Sequence, residues 1–287
     1  MTLVAALSGH QGTIFFADTD EIIGSYSKKT IDKMQVWDFP DRPFRFAIAG
    51  ATTDGTYADA LQSELSGALF RVDAFDLRKI TEALSDTLAA FYAKHIWPRV
   101  GGDKPQMEYL ITIQPPDGYT EVFHIAETAV NIMGVTTHWK SIGVGSYLAD
   151  YLFSRILGGG EGIAHLCAAA VYAAKEVREN IDGVGSLDRI PVFFSDGTYD
   201  ELYPIDIAAI EENLAPLNEM VGYAFADAMD ISGIMEEIRE SEIRHGQIFT
   251  EMREQQASWY KEWSGKREKR KRLLGMYAQR IAMKKNA

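Results

Sequence analysis

The residue with the clearest chemical potential stands at the start of the chain. Thr2 follows Met1, and a small side chain at that position permits removal of the initiator methionine, so the mature chain is expected to begin with a threonine amine. A threonine hydroxyl is a weak nucleophile until a base sits beside it. Its own free α-amino group, with a pKa of about 8, can be that base, which places nucleophile and base on one residue. Such a centre needs two further things from the chain. A charged pair beneath the hydroxyl must lower its pKa and hold it, and a backbone N–H must receive the oxyanion.

Other chemistries find less support. The six histidines, at 10, 95, 124, 138, 165 and 245, include no pair three or four residues apart, and none flanks a glutamate as in a helical zinc motif, so no metal site is expected. There is no Gly-x-Ser-x-Gly, and Gly143-Val144-Gly145-Ser146 has the wrong order for a serine nucleophile elbow. Gly158-Gly159-Gly160-Glu161-Gly162 precedes a helix, but it lacks a P-loop lysine and follows a helix rather than a strand; it reads as a breaker between helices. Nothing calls for a cofactor. The single cysteine, Cys167, lies in an apolar run, which excludes a disulfide framework and a thiolate zinc site and fits a reducing, cytoplasmic setting.

The elements that must position Thr2 can be read from periodicity. Thr2–Leu7 and Thr13–Ala17 are apolar runs around a glycine turn, and short β-rich runs follow at Ile22–Ser25, Met34–Trp37 and Phe44–Ala49, punctuated by Pro40 and Pro43; together they read as a meander. Tyr57, Leu61, Leu65 and Leu69, then Ile80, Leu84, Leu88 and Phe91, recur at helical spacing. Gly101-Gly102-Asp103 closes that pair. Strand patterns return at Met107–Ile113, Glu121–Ile125 and Gly134–Ile142 and read as a second sheet, followed by a helix from Tyr147 and an Ala-rich helix from Gly162 to Arg178. Ile190–Phe194 and Tyr199–Tyr203 flank the hairpin signal Ser195-Asp196-Gly197. Strands, two helices, strands, two helices and strands in that order predict an α+β layered fold with two packed antiparallel sheets and helices outside.

Beyond Pro204 the spacing is helical throughout, as in Met220, Tyr223, Ala224 and Asp227. The expected organisation is therefore a domain over 1–203 and a helical C-terminal extension over 204–287. Charge separates the two. From Ser258 onward ten Lys and Arg stand against two Glu, a net +8, so residues 1–257 carry −20 of the total −12. Trp259, Trp263, Leu273, Leu274, Tyr277 and Ile281 place apolar groups within that basic tail, which suits docking on an acidic body. An acidic body argues against nucleic-acid binding. No apolar run reaches the roughly 18 residues of a membrane span, so no membrane association is expected.

With these elements in order, the sequence resembles a family. Thr2-Leu3-Val4, Gly12 with the apolar strand to Ala17-Asp18, Lys33-Met34 before Val36, and Ala47-Ile48-Ala49-Gly50 followed by Asp54 are similar to the opening of proteasome β-type subunits and their bacterial HslV- and Anbu-like relatives, N-terminal nucleophile hydrolases. Ser141-Ile142-Gly143-Val144-Gly145-Ser146 resembles the family's Gly-x-Gly segment before its third helix. The resemblance spans about residues 2–203 and implies a four-layer αββα sandwich. It implies Thr2 as nucleophile with its amine as base, Asp18 orienting a lysine, Lys33 as that lysine, and Gly50 offering its N–H to the oxyanion. Lys28 and Lys29 are nearby rivals for Lys33. The acid expected after the fourth helix is assigned to Asp182, with Glu179 as the alternative. Two residues depart from the family pattern: Val144 stands where active members carry Ser between the two glycines, and Asp20 stands where a base is common.

The resemblance thus implies a threonine-type endopeptidase that cleaves peptides or unfolded protein in the cytoplasm within a homo-oligomer, with an ATPase as a further partner. The alternative it leaves open is a catalytically silent structural subunit that acts in assembly or docking.

Overall fold

The computed structural model describes residues 2–23, 27–30, 33–39, 41–53, 55–98, 104–116, 118–133 and 138–214. Its strands and helices run, in order, β1 (Val4–Gly9), β2 (Gly12–Ala17), β3 (Asp20–Ile23), β4 (Ser27–Thr30), β5 (Met34–Trp37), β6 (Arg45–Thr52), α1 (Gly55–Arg71), α2 (Leu77–Phe91), β7 (Met107–Gln114), β8 (Glu121–Ala126), β9 (Ala129–Ile132), β10 (Trp139–Ile142), α3 (Ser146–Ile156), α4 (Ile163–Asn180), β11 (Ile190–Phe194) and β12 (Tyr199–Leu202). A fifth helix, α5, covers 204–214 with Pro204 at its first position, where a missing N–H costs no hydrogen bond.

This is an α+β fold with two five-stranded antiparallel sheets, ordered β10-β1-β2-β11-β12 and β5-β6-β7-β8-β9, and a small β3-β4 ribbon. β1 and β2 pair from Val4↔Ala17 to Gly9↔Gly12. Both are buried along most of their length, which is why their sequences are continuous apolar runs rather than alternating ones. Val4, Ala6, Phe15 and Ala17 meet Ala47, Ala49, Leu110 and Val122 in a core between the two sheets. The opposite face of the second sheet carries Phe46, Ile48, Ile111 and Phe123, and against these pack Leu61 and Leu65 of α1 and Ile80, Leu84 and Leu88 of α2. Each such side chain contributes about 1.5–3 kcal/mol by leaving water. Asp76 starts α2 by accepting from the Arg78 and Lys79 N–H groups at 2.9 and 3.2 Å.

The sheet order corrects two expectations. The first half-hundred residues are not a single meander: β1 and β2 lie in one sheet and β5 and β6 in the other. Nor do the strands after α2 make a sheet of their own, since β7 pairs with β6 and β10 crosses to β1. Periodicity marks a strand but not its partner, and here the partner is chosen by packing of the two apolar faces. β4 (Ser-Lys-Lys-Thr) and β9 (Ala-Val-Asn-Ile) have too little apolar alternation to be read from sequence. Pro40, Asp54, Gly101–Asp103, part of the 134–142 run, and the extension beyond 214 with Met220, Tyr223, Trp259, Trp263, Leu273, Leu274, Tyr277 and Ile281 lie outside the described residues.

His124 on β8 gives the fold a pH dependence. It shares a face of the strand with Val122, its Nε2 is buried without a hydrogen-bond partner, and burial followed by the Lys140 charge holds its pKa below the ordinary 6.5. The unfolded chain therefore binds the proton more readily than the folded one. Stability from this group is present above about pH 6.5 and is lost as pH falls through the lowered folded value. Thermal midpoints at neutral and mildly acidic pH should drop less for His124→Gln than for the parent, and equal drops would remove His124 from the account.

Candidate active site

Asp18 follows β2 and is held by Leu3, just before β1, on one side and by the α4–β11 connection on the other. Its Oδ1 accepts the Leu3 N–H at 2.8 Å and its Oδ2 accepts the Gly185 N–H at 2.8 Å, while its own N–H donates to the Leu3 carbonyl at 3.0 Å. Its side chain is fully buried. Lys33 reaches both carboxylate oxygens at 3.0 Å with a side chain only 8% exposed. Their mutual attraction and the two backbone N–H donors to Asp18 offset the cost of taking both charges out of water. Lys33 stands one residue before the Met34↔Ala49 pair of β5 and β6, at the level of Gly50, and its carbonyl accepts from Gln62 Nε2 of α1 at 3.3 Å. Lys28 and Lys29 fall on β4.

The backbone of Thr2 is fixed by the loop between β10 and α3. The Gly145 N–H donates to the Thr2 carbonyl at 3.3 Å, and Gly143, at φ +92°, passes so close that a Cβ there would lie 2.2 Å from the same oxygen. Only glycine fits both the backbone conformation and the gap. Gly143→Ala is accordingly expected to displace either Thr2 or the loop, costing roughly 1–3 kcal/mol and lowering any Thr2-dependent activity more than it lowers the thermal midpoint. Paired denaturation and activity measurements would check this, and an unperturbed variant would contradict the close approach.

Thr2, Lys33, Gly50, Gly143, Val144 and Ser146 line one cavity of about 990 Å³. That size suits several residues of an extended peptide or one drug-sized ligand. Gly50 is confined by packing as well: a Cβ would meet the ring of Tyr109, its cross-strand partner, at 2.3 Å. The Tyr109 hydroxyl donates to the Ala58 carbonyl of α1 at 2.8 Å, and burial, then the Asp59 charge, pushes its pKa far up. Val144 is 41% exposed and is among the residues that line the cavity.

Comparisons with solved structures give the fold a reference. An Anbu (Gly-1) mutant from Hyphomicrobium sp. strain MC1 superposes with a TM-score of 0.66 at 14% identity, over 79% of this chain and 97% of the other. Anbu (ancestral beta-subunit) from Yersinia bercovieri gives 0.63 at 15%, over 81% and 98%. The Anbu complex from Pseudomonas aeruginosa, solved as a helical assembly, gives 0.63 at 14%, over 77% and 96%. The likeness is one of fold. No protein-family model and no curated protein matches the sequence.

Within that shared fold, Thr2, Asp18, Lys33 and Gly50 come together, and Asp182 stands apart. Asp182 and Glu179 are exposed and neither lines the cavity. From the same connection it is the backbone that reaches the centre: Gly185 donates to Asp18, and the Ser186 carbonyl accepts from the Thr19 N–H and hydroxyl, each at 3.1 Å. Gly183-Val184-Gly185 was the available signal for this, a glycine pair where main chain approaches main chain. Gln62, behind Lys33, left no mark in the sequence, being one polar residue on an otherwise ordinary helix. Among the described residues no group of three or more His, Cys, Asp or Glu could hold a metal ion, and no helix is long and apolar enough to cross a membrane.

Proposed function

We propose that the chain is a threonine-type peptidase of the proteasome-like kind, built as a four-layer αββα domain over 1–203 with a helical extension over 204–287, and working as a subunit of a homo-oligomer. The observation that carries the reading is the buried Lys33–Asp18 pair tied to the Leu3 and Gly185 N–H groups at a cavity that Thr2 lines. Cleavage after Met1 frees the Thr2 amine. The Thr2 hydroxyl then attacks a peptide carbonyl, its proton passing to the amine and the oxyanion taking the Gly50 N–H. As the C–N bond breaks, the amine returns that proton to the leaving nitrogen, and water hydrolyses the ester left on Thr2. Lys33 supplies positive charge beside the hydroxyl, which favours its alkoxide. Substrates are peptides or unfolded protein, and an ATPase would feed such a site. Asp182 acts through the α4–β11 connection rather than in the cavity.

Val144 favours a second reading, a catalytically silent subunit that serves assembly, because an apolar residue lines the cavity where active relatives of the resemblance carry a hydroxyl. One experiment separates the two. Intact mass of the purified chain should be lower by one methionine, and incubation with a peptide activated ester should leave an acyl group that peptide mapping places on Thr2. A retained Met1, or acylation elsewhere, favours the silent subunit.

A further inference from the structure

Three acidic residues are among those lining the cavity around Thr2: Asp59 from α1, Glu108 from the start of β7 and Glu127 from the β8–β9 turn. Among the described lining residues Lys33 is the sole Lys or Arg, and it is held against Asp18. The cavity therefore presents net negative charge to whatever enters.

Register places Glu108 close to Gly50. Ala51, Glu108 and Ala126 form one row across β6, β7 and β8, next to the row of Gly50, Tyr109 and Ile125, and successive rows lie about 3.3 Å apart along a strand. The Glu108 row has the parity of Leu110 and Ala49, whose side chains lie in the core between the sheets, so it faces the sheet that carries Thr2. Consistently, a Cβ on Gly143 would lie 3.4 Å from the Ala51 Cβ. Glu127 enters from the neighbouring turn, its N–H donating to the Met107 carbonyl at 3.3 Å. With φ +53° it is the sole non-glycine residue in the left-handed region among the described residues. That conformation is unfavourable for a glutamate, and Asn or Gly would hold the turn more easily. The charges are felt locally: after burial, Asp59 raises the Tyr109 phenol and Glu127 the Tyr92 phenol. The three carboxylates do not form a group that could hold a metal ion. They suit a long organic cation that reaches along the wall.

We propose that this wall recognises a cationic side chain, lysine or arginine, beside the bond presented to Thr2. The choice of bond rests on the peptidase reading, whereas recognition of the cation can be measured without turnover. The full chain would be titrated calorimetrically with acetyl-Ala-Ala-Xaa-Ala-Ala-amide, Xaa being Arg, Gln or Glu, at about 0.1 M and about 1 M salt, between which the Debye length falls from about 10 to about 3 Å. The Arg peptide should bind about tenfold or more tightly than the Glu peptide at low salt, with a smaller ratio at high salt. In Glu108→Gln/Glu127→Asn the ratio should fall to about threefold or less, while circular dichroism and the thermal midpoint show the fold retained; Glu127→Asn alone should hold or raise that midpoint. Equal affinities for the three peptides, a preference that survives the double substitution, or no binding of any peptide would overturn the proposal. An unblocked Gln peptide binding as tightly as the blocked Arg peptide would overturn the side-chain assignment in favour of a terminal amine. A preference for Arg without hydrolysis would overturn the peptidase reading alone.

Discussion

Lys33→Met is expected to destabilise the chain by about 3 kcal/mol and to abolish peptide hydrolysis. Removing one member of a buried ion pair typically costs about 3–5 kcal/mol, because the other charge is left without its partner. Here the Asp18 carboxylate keeps the Leu3 and Gly185 N–H groups, which places the loss at the low end. For a domain of this size that corresponds to a fall of roughly 6–12 °C in thermal midpoint. Asp18→Asn does not relieve the problem, since its amide would turn a donor toward one of two N–H donors. A useful contrast is the exposed Arg78–Glu82 pair at 2.8 Å, where water screens both charges and Arg78→Met should leave the midpoint almost unchanged. Midpoints for Lys33→Met and Arg78→Met measured side by side test the assignment. Similar shifts would mean that the Lys33–Asp18 pair is not the buried anchor its geometry describes.

Local signals in the sequence marked most of the elements but not their neighbours. Ile80, Leu84, Leu88 and Phe91 marked the buried stripe of α2, and all four are buried in the structure. Ile190–Phe194 was legible to the residue because a run of five apolar residues before Ser-Asp-Gly has few alternatives. The split of the opening strands between two sheets was illegible, since the pattern of a strand marks its buried face and not the strand it pairs with. At the site, Thr2 could be noticed from position and chemistry. Asp18, Lys33 and Gly50 came only from family resemblance, because an aspartate, a lysine and a glycine carry no signal of their own. What escaped altogether was main chain: the Gly145 N–H on the Thr2 carbonyl and the Gly185 N–H on Asp18 are contacts that any residue type other than proline could make. Their trace in sequence is the demand for glycine nearby.

Thr2→Ala is expected to lower peptide turnover on the order of 10⁴-fold or more, as removal of a nucleophile does, while changing stability by only about 1 kcal/mol. The asymmetry follows from where residue 2 is held. Its carbonyl accepts from Gly145, and the next residue exchanges hydrogen bonds with Asp18; none of these involves the Thr2 side chain. Alanine therefore keeps the backbone path, the Lys33–Asp18 pair and the cavity, and loses a hydroxyl and a methyl group. Thr2→Ser retains the hydroxyl and the amine and should keep measurable turnover. The methyl group is the difference between them, and its loss frees the hydroxyl to rotate, so some decline in rate is expected with serine as well. The order threonine, then serine, then alanine is what a side-chain oxygen nucleophile requires. Alanine retaining even about 1% of the parental rate, well above the residual that survives loss of a nucleophile, would show that the bond is broken by some other group. In that case the buried Lys33–Asp18 pair would have to be read as an anchor for the β1 terminus, with Val144 marking a cavity that binds without cutting.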